Sequence, residues 1–125
     1  RVEDAICATK AAIKEGIVPG GGIALLNAAS NTKPKSIGET VLLEAIKAPY
    51  RTILENAGII DVEDPKAKGM GLNVVTGKSV SMIKSGIIDP LLVTKSALRN
   101  AVSVATTILS TDCVINNLRI DESSR

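Results

Sequence analysis

The chain has 125 residues, 45% hydrophobic and 22% charged, a composition typical of one globular domain. Fifteen basic and thirteen acidic residues leave a formal net charge of +2, which provides no basic patch for nucleic acid. Tyr50 is the only aromatic residue, so a stacking platform for bases is excluded and the core must be aliphatic.

Two isolated cysteines, Cys7 and Cys113, occur in a chain without histidine. Their spacing matches neither a metal site nor a disulfide framework, so we expect free thiols in a reducing compartment. No apolar run reaches the roughly 18 residues of a membrane span, and the N-terminus does not resemble a signal peptide. Because the sequence begins with Arg1, almost within a helical pattern, we expect a fragment of a longer protein.

The first segment predicts an amphipathic helix that ends at Gly16. Acidic Glu3 and Asp4 lie in its first turn, and basic residues lie near its end, as the helix dipole favours. Its predicted apolar face consists of Val2, Ala5, Ile6, Ala12 and Ile13, with Thr9 as the polar member. A second helix, from Gly22 to about Ser30, is apolar nearly all round and should be buried.

The stretch EGIVPGGGIALL joins these two helices and contains three consecutive glycines, Gly20, Gly21 and Gly22. Glycine is common in tight turns between helices. Glycines that open a helix also let a ligand approach bare N–H groups at the positive end of the dipole. The residues alone leave both interpretations open.

Ser36 and Glu39 form a capping-box pattern that predicts the start of a third helix. Pro49 should kink or restart this helix, because its ring collides with the preceding turn. The apolar pattern then continues to Gly58, and residues 59–71 are expected to form a loop.

The segment LNVVTGKSVSMI is short, β-branched and interrupted by Thr76-Gly77, which predicts a small hairpin. VVTGKS is not a phosphate-binding P-loop, because Leu72 stands where that motif needs its first glycine. A hairpin turn with a solvated Lys78 is the better interpretation. Asn73 is then simply a polar residue beside the turn.

Asp89-Pro90 predicts a helix start, with Asp89 as the N-cap and Pro90 at the first helical position. The helix should continue to about Ser110, followed by a strand at DCVINNLR and a tail. The predicted fold is therefore mainly α, with several helices, a small β-hairpin and a C-terminal strand. Asp4 and Asp89 both have structural explanations, as a first-turn acid and as a cap.

Four blocks together resemble the C-terminal part of a group I chaperonin, the GroEL family: RVEDAICATKAAIKEGIVPGGGIALL, EAIKAPYRTILENAG, GLNVVTGKSVSMIKSGIIDPLLVTKSAL and ILSTDCVI. They cover nearly the whole chain in the order of that family. Two loops are shorter, and the tail lacks a Gly-Gly-Met-rich ending. The resemblance implies a multihelical, equatorial-domain-like fold. Residues 1–14 would end an intermediate-domain helix, and residues 15–125 would form the C-terminal half of the equatorial, ATP-binding domain.

The resemblance also implies roles for seven residues. Gly21 would contact the nucleotide through its backbone, and Asp89 would accept hydrogen bonds from the ribose hydroxyls. Asp4 would orient the attacking water after the intermediate domain closes. The adenine pocket would be lined by Asn73, Val74, Val75 and Ile87, where the family usually has alanines in place of the two valines.

The implied cofactor is ATP, with Mg²⁺ held by an N-terminal half that this sequence lacks, so the chain alone should hydrolyse no ATP. The implied partners are a homo-oligomeric ring, whose neighbouring subunit the C-terminal strand would join, a co-chaperonin and unfolded client proteins. The last two would bind through absent domains. The expected location is the bacterial cytoplasm or an organelle matrix, with no nucleic-acid or membrane partner. Two other functions stay open: a helical interaction or scaffold fragment without ATPase activity, and a stand-alone nucleotide-binding protein.

Overall fold

A computed structural model of the chain describes residues 1–111, 113 and 115. The fold is mainly helical, which confirms the predicted class. Most of the predicted C-terminal strand, residues 112–119, lies outside the described residues. In chain order the elements are α1 (Val2–Glu15), β1 (Ile17–Pro19), α2 (Ile23–Asn31), α3 (Ile37–Ala45), α4 (Ala48–Asn56), β2 (Met70–Asn73), β3 (Lys78–Ser81), β4 (Ile88–Pro90) and α5 (Leu91–Leu109).

The chain divides into two compact units, Arg1–Thr94 and Lys95–Arg125. Helix α5 begins in the first unit and continues into the second. In the described part of the chain, no helix is both long and apolar enough to cross a membrane.

Helix α1 ends where the sequence predicts. Gly16 adopts φ 87°, and its N–H donates to the carbonyl of Ala12 at 2.8 Å. The predicted apolar face is nevertheless open to solvent: Val2, Ile6 and Ile13 are 75%, 50% and 81% exposed. The amphipathic pattern therefore locates the helix correctly, while the described part of the chain leaves the apolar face of the helix uncovered.

Helix α2 provides the centre of the core, as its apolar sequence predicts. Ile23 is completely buried, and Leu26 and Ala29 are buried on the same face. Truncation of a buried isoleucine to alanine typically costs about 2–5 kcal/mol, so Ile23 is a major source of stability. Around α2, one continuous cluster contains Ile23, Leu26, Tyr50, Leu54 and Met82, with Ile59, Leu72, Val80 and Ile87 packed against it.

Strands β1 and β4 form an antiparallel pair that the sequence does not predict. Val18 lies opposite Asp89, and the N–H of Leu91 donates to the carbonyl of Gly16 at 3.1 Å. The prediction of a helix start with Asp89 as the N-cap and Pro90 at the first helical position is wrong by one residue. Pro90 ends β4 and α5 begins at Leu91, so Asp89 lies in a strand and not at the N-cap position.

Helices α3 and α4 divide at the predicted place. The hydroxyl of Ser36 accepts from the N–H of Glu39 at 3.2 Å, and the Glu39 carboxylate accepts from the N–H of Lys35. The reciprocal bond thus reaches one residue further back than in the standard capping box. Pro49 lies in the first turn of α4, where its missing N–H removes no helical hydrogen bond.

Strands β2 and β3 form the predicted hairpin, with Asn73 opposite Lys78. The N–H of Gly77 donates to the carbonyl of Asn73 at 2.8 Å and closes the turn. Since a strand follows this turn instead of a helix, the structure also excludes the P-loop arrangement.

Candidate functional site

A cavity of about 480 Å³ lies where the glycine turn, helix α4 and the β2–β3 hairpin meet. Most of its lining residues are aliphatic, and Tyr50, Asn73 and Thr76 are the polar residues among them. A mainly apolar cavity with few polar groups is the usual form of a small-molecule site. The lining residues are Gly21, Tyr50, Ile53, Leu54, Leu72, Asn73, Val74, Val75, Thr76, Met82 and Ile87.

The glycine turn is held at the edge of the cavity by backbone contacts. The N–H of Gly20 donates to the carbonyl of Ile87 at 2.9 Å, which joins the turn to the segment before β4. A Cβ on Gly22 would lie 2.7 Å from the backbone nitrogen of Tyr50, so only glycine fits there. A Cβ on Gly21 would lie 2.9 Å from the terminal methyl group of Met82, which also lines the cavity. Close packing therefore accounts for Gly22, whereas Gly21 faces a flexible side chain at the cavity.

Asn73 shapes the turn that forms one wall. Its Oδ1 accepts from the backbone N–H of Val75 at 3.0 Å and of Thr76 at 3.3 Å. Such side-chain bonds to the next residues are how asparagine stabilises turns. The structural explanation of Asn73 therefore holds, and the turn also brings Asn73 and both valines to the cavity. With Oδ1 engaged, the Nδ2 group is the part of Asn73 able to donate to a ligand.

The structure brings five of the predicted site residues together at this cavity: Gly21, Asn73, Val74, Val75 and Ile87. Asp89 does not line it, but lies exposed in β4 two residues after Ile87. Asp4 also lies apart, exposed in the first turn of α1. The described residues contain no group of three or more acidic or cysteine side chains placed to hold a metal ion.

Sequence reasoning misses Tyr50 as a cavity residue. Tyr50 lies at the start of α4 and is 2% exposed. Burial raises the pKa of its hydroxyl, and the nearby carboxylate of Asp64 raises it further. Tyr50 is the single aromatic residue of the sequence, which makes it a candidate for a special role. Composition alone does not say which cavity a buried ring borders. Ile53 and Leu54 are identified from sequence only as an apolar helix face.

Charged groups cluster where α3 and α4 meet. Glu44 pairs with Lys47 (Nζ–Oε2, 2.6 Å) and with Arg51 (Nη1–Oε1, 2.9 Å), and hydrogen bonds from Lys47 and Arg51 lower the pKa of Glu44. Arg51 also lies 3.7 Å from the carboxylate of Asp64. Arg51, Asp64 and Tyr50 border a second, smaller cavity of about 240 Å³ under residues 59–64.

Comparison with known proteins identifies the class to which this mainly helical fold belongs. A model of the TCP-1/cpn60 chaperonin family matches residues 1–119. The structure is similar to the crystal structure of a group III chaperonin in the open state, with a TM-score of 0.70 and 32% sequence identity. The similarity covers 84% of this chain and 25% of that chain, so this chain spans about a quarter of the length of the chaperonin it matches. The chain belongs to the TCP-1/cpn60 chaperonin family.

Proposed function

We propose that this chain is the C-terminal part of a group I chaperonin subunit and supplies the adenine and ribose side of an ATP site. Family membership supports the chaperonin part of the proposal. The four long sequence blocks that resemble the GroEL family favour group I. In this proposal residues 1–14 end an intermediate-domain helix, and residues 15–125 are the C-terminal half of an equatorial domain.

The cavity is the observation that carries the nucleotide proposal. Residues from three separate segments, expected from the sequence to contact a nucleotide, line one cavity of about 480 Å³. Its aliphatic walls suit a flat base, and the glycine backbone at its edge suits close approach of a ligand. The described residues therefore fit the base of ATP.

Each residue has a distinct role in the proposal. Gly21 contacts the ligand through its backbone, and Val74, Val75 and Ile87 form apolar walls. Asn73 donates to the base through Nδ2. Asp89, which is exposed beyond Ile87, accepts hydrogen bonds from the ribose hydroxyls.

In this proposal Asp4 takes part in ATP hydrolysis and not in nucleotide binding. Its carboxylate is exposed on α1, away from the cavity lining, and would orient the attacking water after a domain movement. When bound, ATP supplies the reactive phosphoryl group, and the proposal places its Mg²⁺ in the N-terminal half that this sequence lacks. The chain alone is therefore expected to be inactive.

The proposed assembly, partners and location are those of a full-length chaperonin subunit. We place the subunit in a homo-oligomeric ring that works with a co-chaperonin on unfolded client proteins, in the bacterial cytoplasm or an organelle matrix. The second candidate function is a helical interaction fragment without ATPase activity. The exposed apolar residues of α1, Val2, Ile6 and Ile13, favour it, because such a face suits a protein partner.

The test is to measure ATP affinity and turnover for Asp4→Ala and Asp89→Ala in the full-length protein. Asp4→Ala should lower kcat with little change in the Kd for ATP, because its interaction is made mainly in the transition state. Asp89→Ala should raise the Kd first, because the ribose contact is present throughout binding. Glu3→Ala is the matched control, since it removes a neighbouring charge from the same turn.

Unchanged turnover in Asp4→Ala would leave this residue as a first-turn acid. If the full-length wild-type protein binds no ATP, the nucleotide proposal fails and the interaction function is favoured. The isolated 125-residue chain, assayed in parallel, should show no hydrolysis above background.

A further inference from the structure

Met82 lies where the glycine turn, the β2–β3 hairpin and the larger cavity meet. It is 2% exposed, belongs to the core cluster and lines the cavity of about 480 Å³. Its N–H donates to the carbonyl of Gly69 at 3.0 Å, and its carbonyl accepts from the N–H of Ile87 at 2.9 Å. Because both backbone groups are bonded, the point from which the Met82 side chain extends is fixed.

Two glycines leave room for the Met82 side chain. A Cβ on Gly21 would lie 2.9 Å from its terminal methyl group, and a Cβ on Gly71 would lie 2.9 Å from its sulfur. Gly71 lies within β2 and has no positive φ, so its backbone conformation does not require glycine. The space that Met82 and Ile23 occupy accounts for this glycine instead, since a Cβ there would lie 2.7 Å from the Ile23 side chain. The thioether therefore reaches from the hairpin to the glycine turn.

The end of the Met82 side chain is suited to contact an aromatic ligand. Its terminal methyl group lies beside Gly21, and both residues line the cavity. A thioether is polarizable, packs favourably against aromatic rings and adapts its shape through several rotatable bonds. Of the described residues that line the cavity, Met82 alone has an unbranched apolar side chain of this kind.

We infer that the Met82 side chain packs against the base of the nucleotide in the larger cavity, which makes Met82 a specificity-determining residue. This inference rests on the proposed nucleotide site. The part of the binding affinity that comes from the base then depends on Met82, whereas the part that comes from the ribose and phosphates does not.

Met82→Ala and Met82→Leu in the full-length protein test this. Alanine removes the thioether, and ATP affinity should fall by about 10-fold or more, as expected when methylene-sized groups are lost from an apolar pocket. Leucine nearly conserves the volume, so that variant should fold with a Tm close to that of the wild type. Because leucine branches before it reaches Gly21, it should still weaken ATP binding, though less than alanine does. The affinity for ribose 5-triphosphate, which lacks the base, should not change in either variant.

Leu26→Ala is the matched control, because Leu26 is also 2% exposed in the same cluster but does not line the cavity. It should lower the Tm and leave ATP affinity unchanged. Equal weakening of ATP binding by Leu26→Ala and Met82→Ala would overturn the inference and leave Met82 with a role in the core only.

Two further outcomes would also overturn it. Equal weakening of ATP and ribose 5-triphosphate would mean that Met82 does not act on the base. Unchanged ATP affinity in the Met82 variants would refute the contact, and if Met82→Ala does not fold, the leucine variant decides alone. If the wild-type protein binds no ATP, the proposed function and the contact fail together, whereas wild-type binding with unaffected variants refutes the Met82 contact alone.

Discussion

Gly21 and Gly22 are adjacent and both have positive φ, 67° and 78°, but different atoms constrain them. A methyl group on Gly22 would meet the backbone of Tyr50, which cannot move without shifting α4. A methyl group on Gly21 would meet only the end of the flexible Met82 side chain. The same chemical change should therefore have different consequences at two neighbouring positions.

We predict that Gly22→Ala destabilises the protein by about 3 kcal/mol or more, the sum of backbone strain and overpacking. Gly21→Ala should cost about 1 kcal/mol for its φ alone, since Met82 can adjust. If Gly21 contacts the ligand, Gly21→Ala should still weaken ATP binding markedly in the full-length protein. Chemical denaturation and ATP titration of both variants measure this. Normal ATP binding by Gly21→Ala would leave the turn with a structural role only.

Asn73 allows turn formation to be separated from ligand binding. Asn73→Ala removes an acceptor of two backbone N–H groups and should cost about 1 kcal/mol. Asn73→Asp keeps an oxygen at that place, so the hairpin should retain its stability. Because the aspartate lacks the Nδ2 donor, it should still weaken ATP binding in the full-length protein. Thermal melts and ATP titrations of both variants test this, and equal destabilisation by the two would contradict it.

At the scale of whole elements, the sequence predicts several helix ends and the hairpin correctly, because the residues that determine them lie close together along the chain. Gly16, Ser36 and Pro49 mark helix ends correctly because capping and proline geometry act within a few residues. The hairpin was also predictable, since its turn joins neighbouring strands.

The pairing of β1 with β4 could not be predicted in this way. Each strand has three residues and contains proline, too few for any alternation, and Val18 meets Asp89 from a distant part of the sequence. The cavity also depends on contacts between distant parts of the sequence, which local patterns do not predict. Family resemblance predicts Gly21, Asn73 and Ile87 as site residues, whereas no local pattern reports the contact between α4 and the glycine turn that places Tyr50 at the cavity.

The junction of α3 and α4 has a pH dependence that follows from Glu44. Hydrogen bonds from Lys47 and Arg51 lower the pKa of Glu44 below its usual value of 4.5. The folded state therefore binds this proton less well than the unfolded state. The contribution of Glu44 to stability is complete above pH 4.5 and is lost as the pH falls through the lowered value.

We predict that Glu44→Gln lowers the Tm slightly at pH 7, because exposed ion pairs contribute little. The difference from the wild type should shrink below pH 4.5 and also at high salt. Melting curves from pH 3 to pH 7 measure it, with Glu55→Gln on α4 as a control for the change in net charge. A Tm difference independent of pH would assign the effect of Glu44→Gln to packing.

At the scale of the whole molecule, the chain spans about a quarter of the chaperonin it matches, and the described part leaves apolar side chains exposed. The amphipathic α1 is the clearest case: its polar face follows the rules of a solvated helix, yet Ile6 is 50% and Ile13 81% exposed. A helix that is patterned for burial on one face indicates a partner surface outside the described residues.

We therefore predict that the 125-residue chain self-associates or binds a hydrophobic dye such as ANS, because exposed apolar patches promote both. The double variant Ile6→Ser, Ile13→Ser should reduce dye fluorescence and shift the protein towards monomer. Ile60→Ser is the matched control, since Ile60 is 76% exposed but lies in the loop after α4, away from the amphipathic face. Analytical ultracentrifugation and dye titration measure the two properties.

A wild-type chain that is monomeric and does not bind dye would show that the face of α1 is not adhesive. Equal effects of the loop variant and the double variant would show that exposure alone, and not the patterned face, causes association.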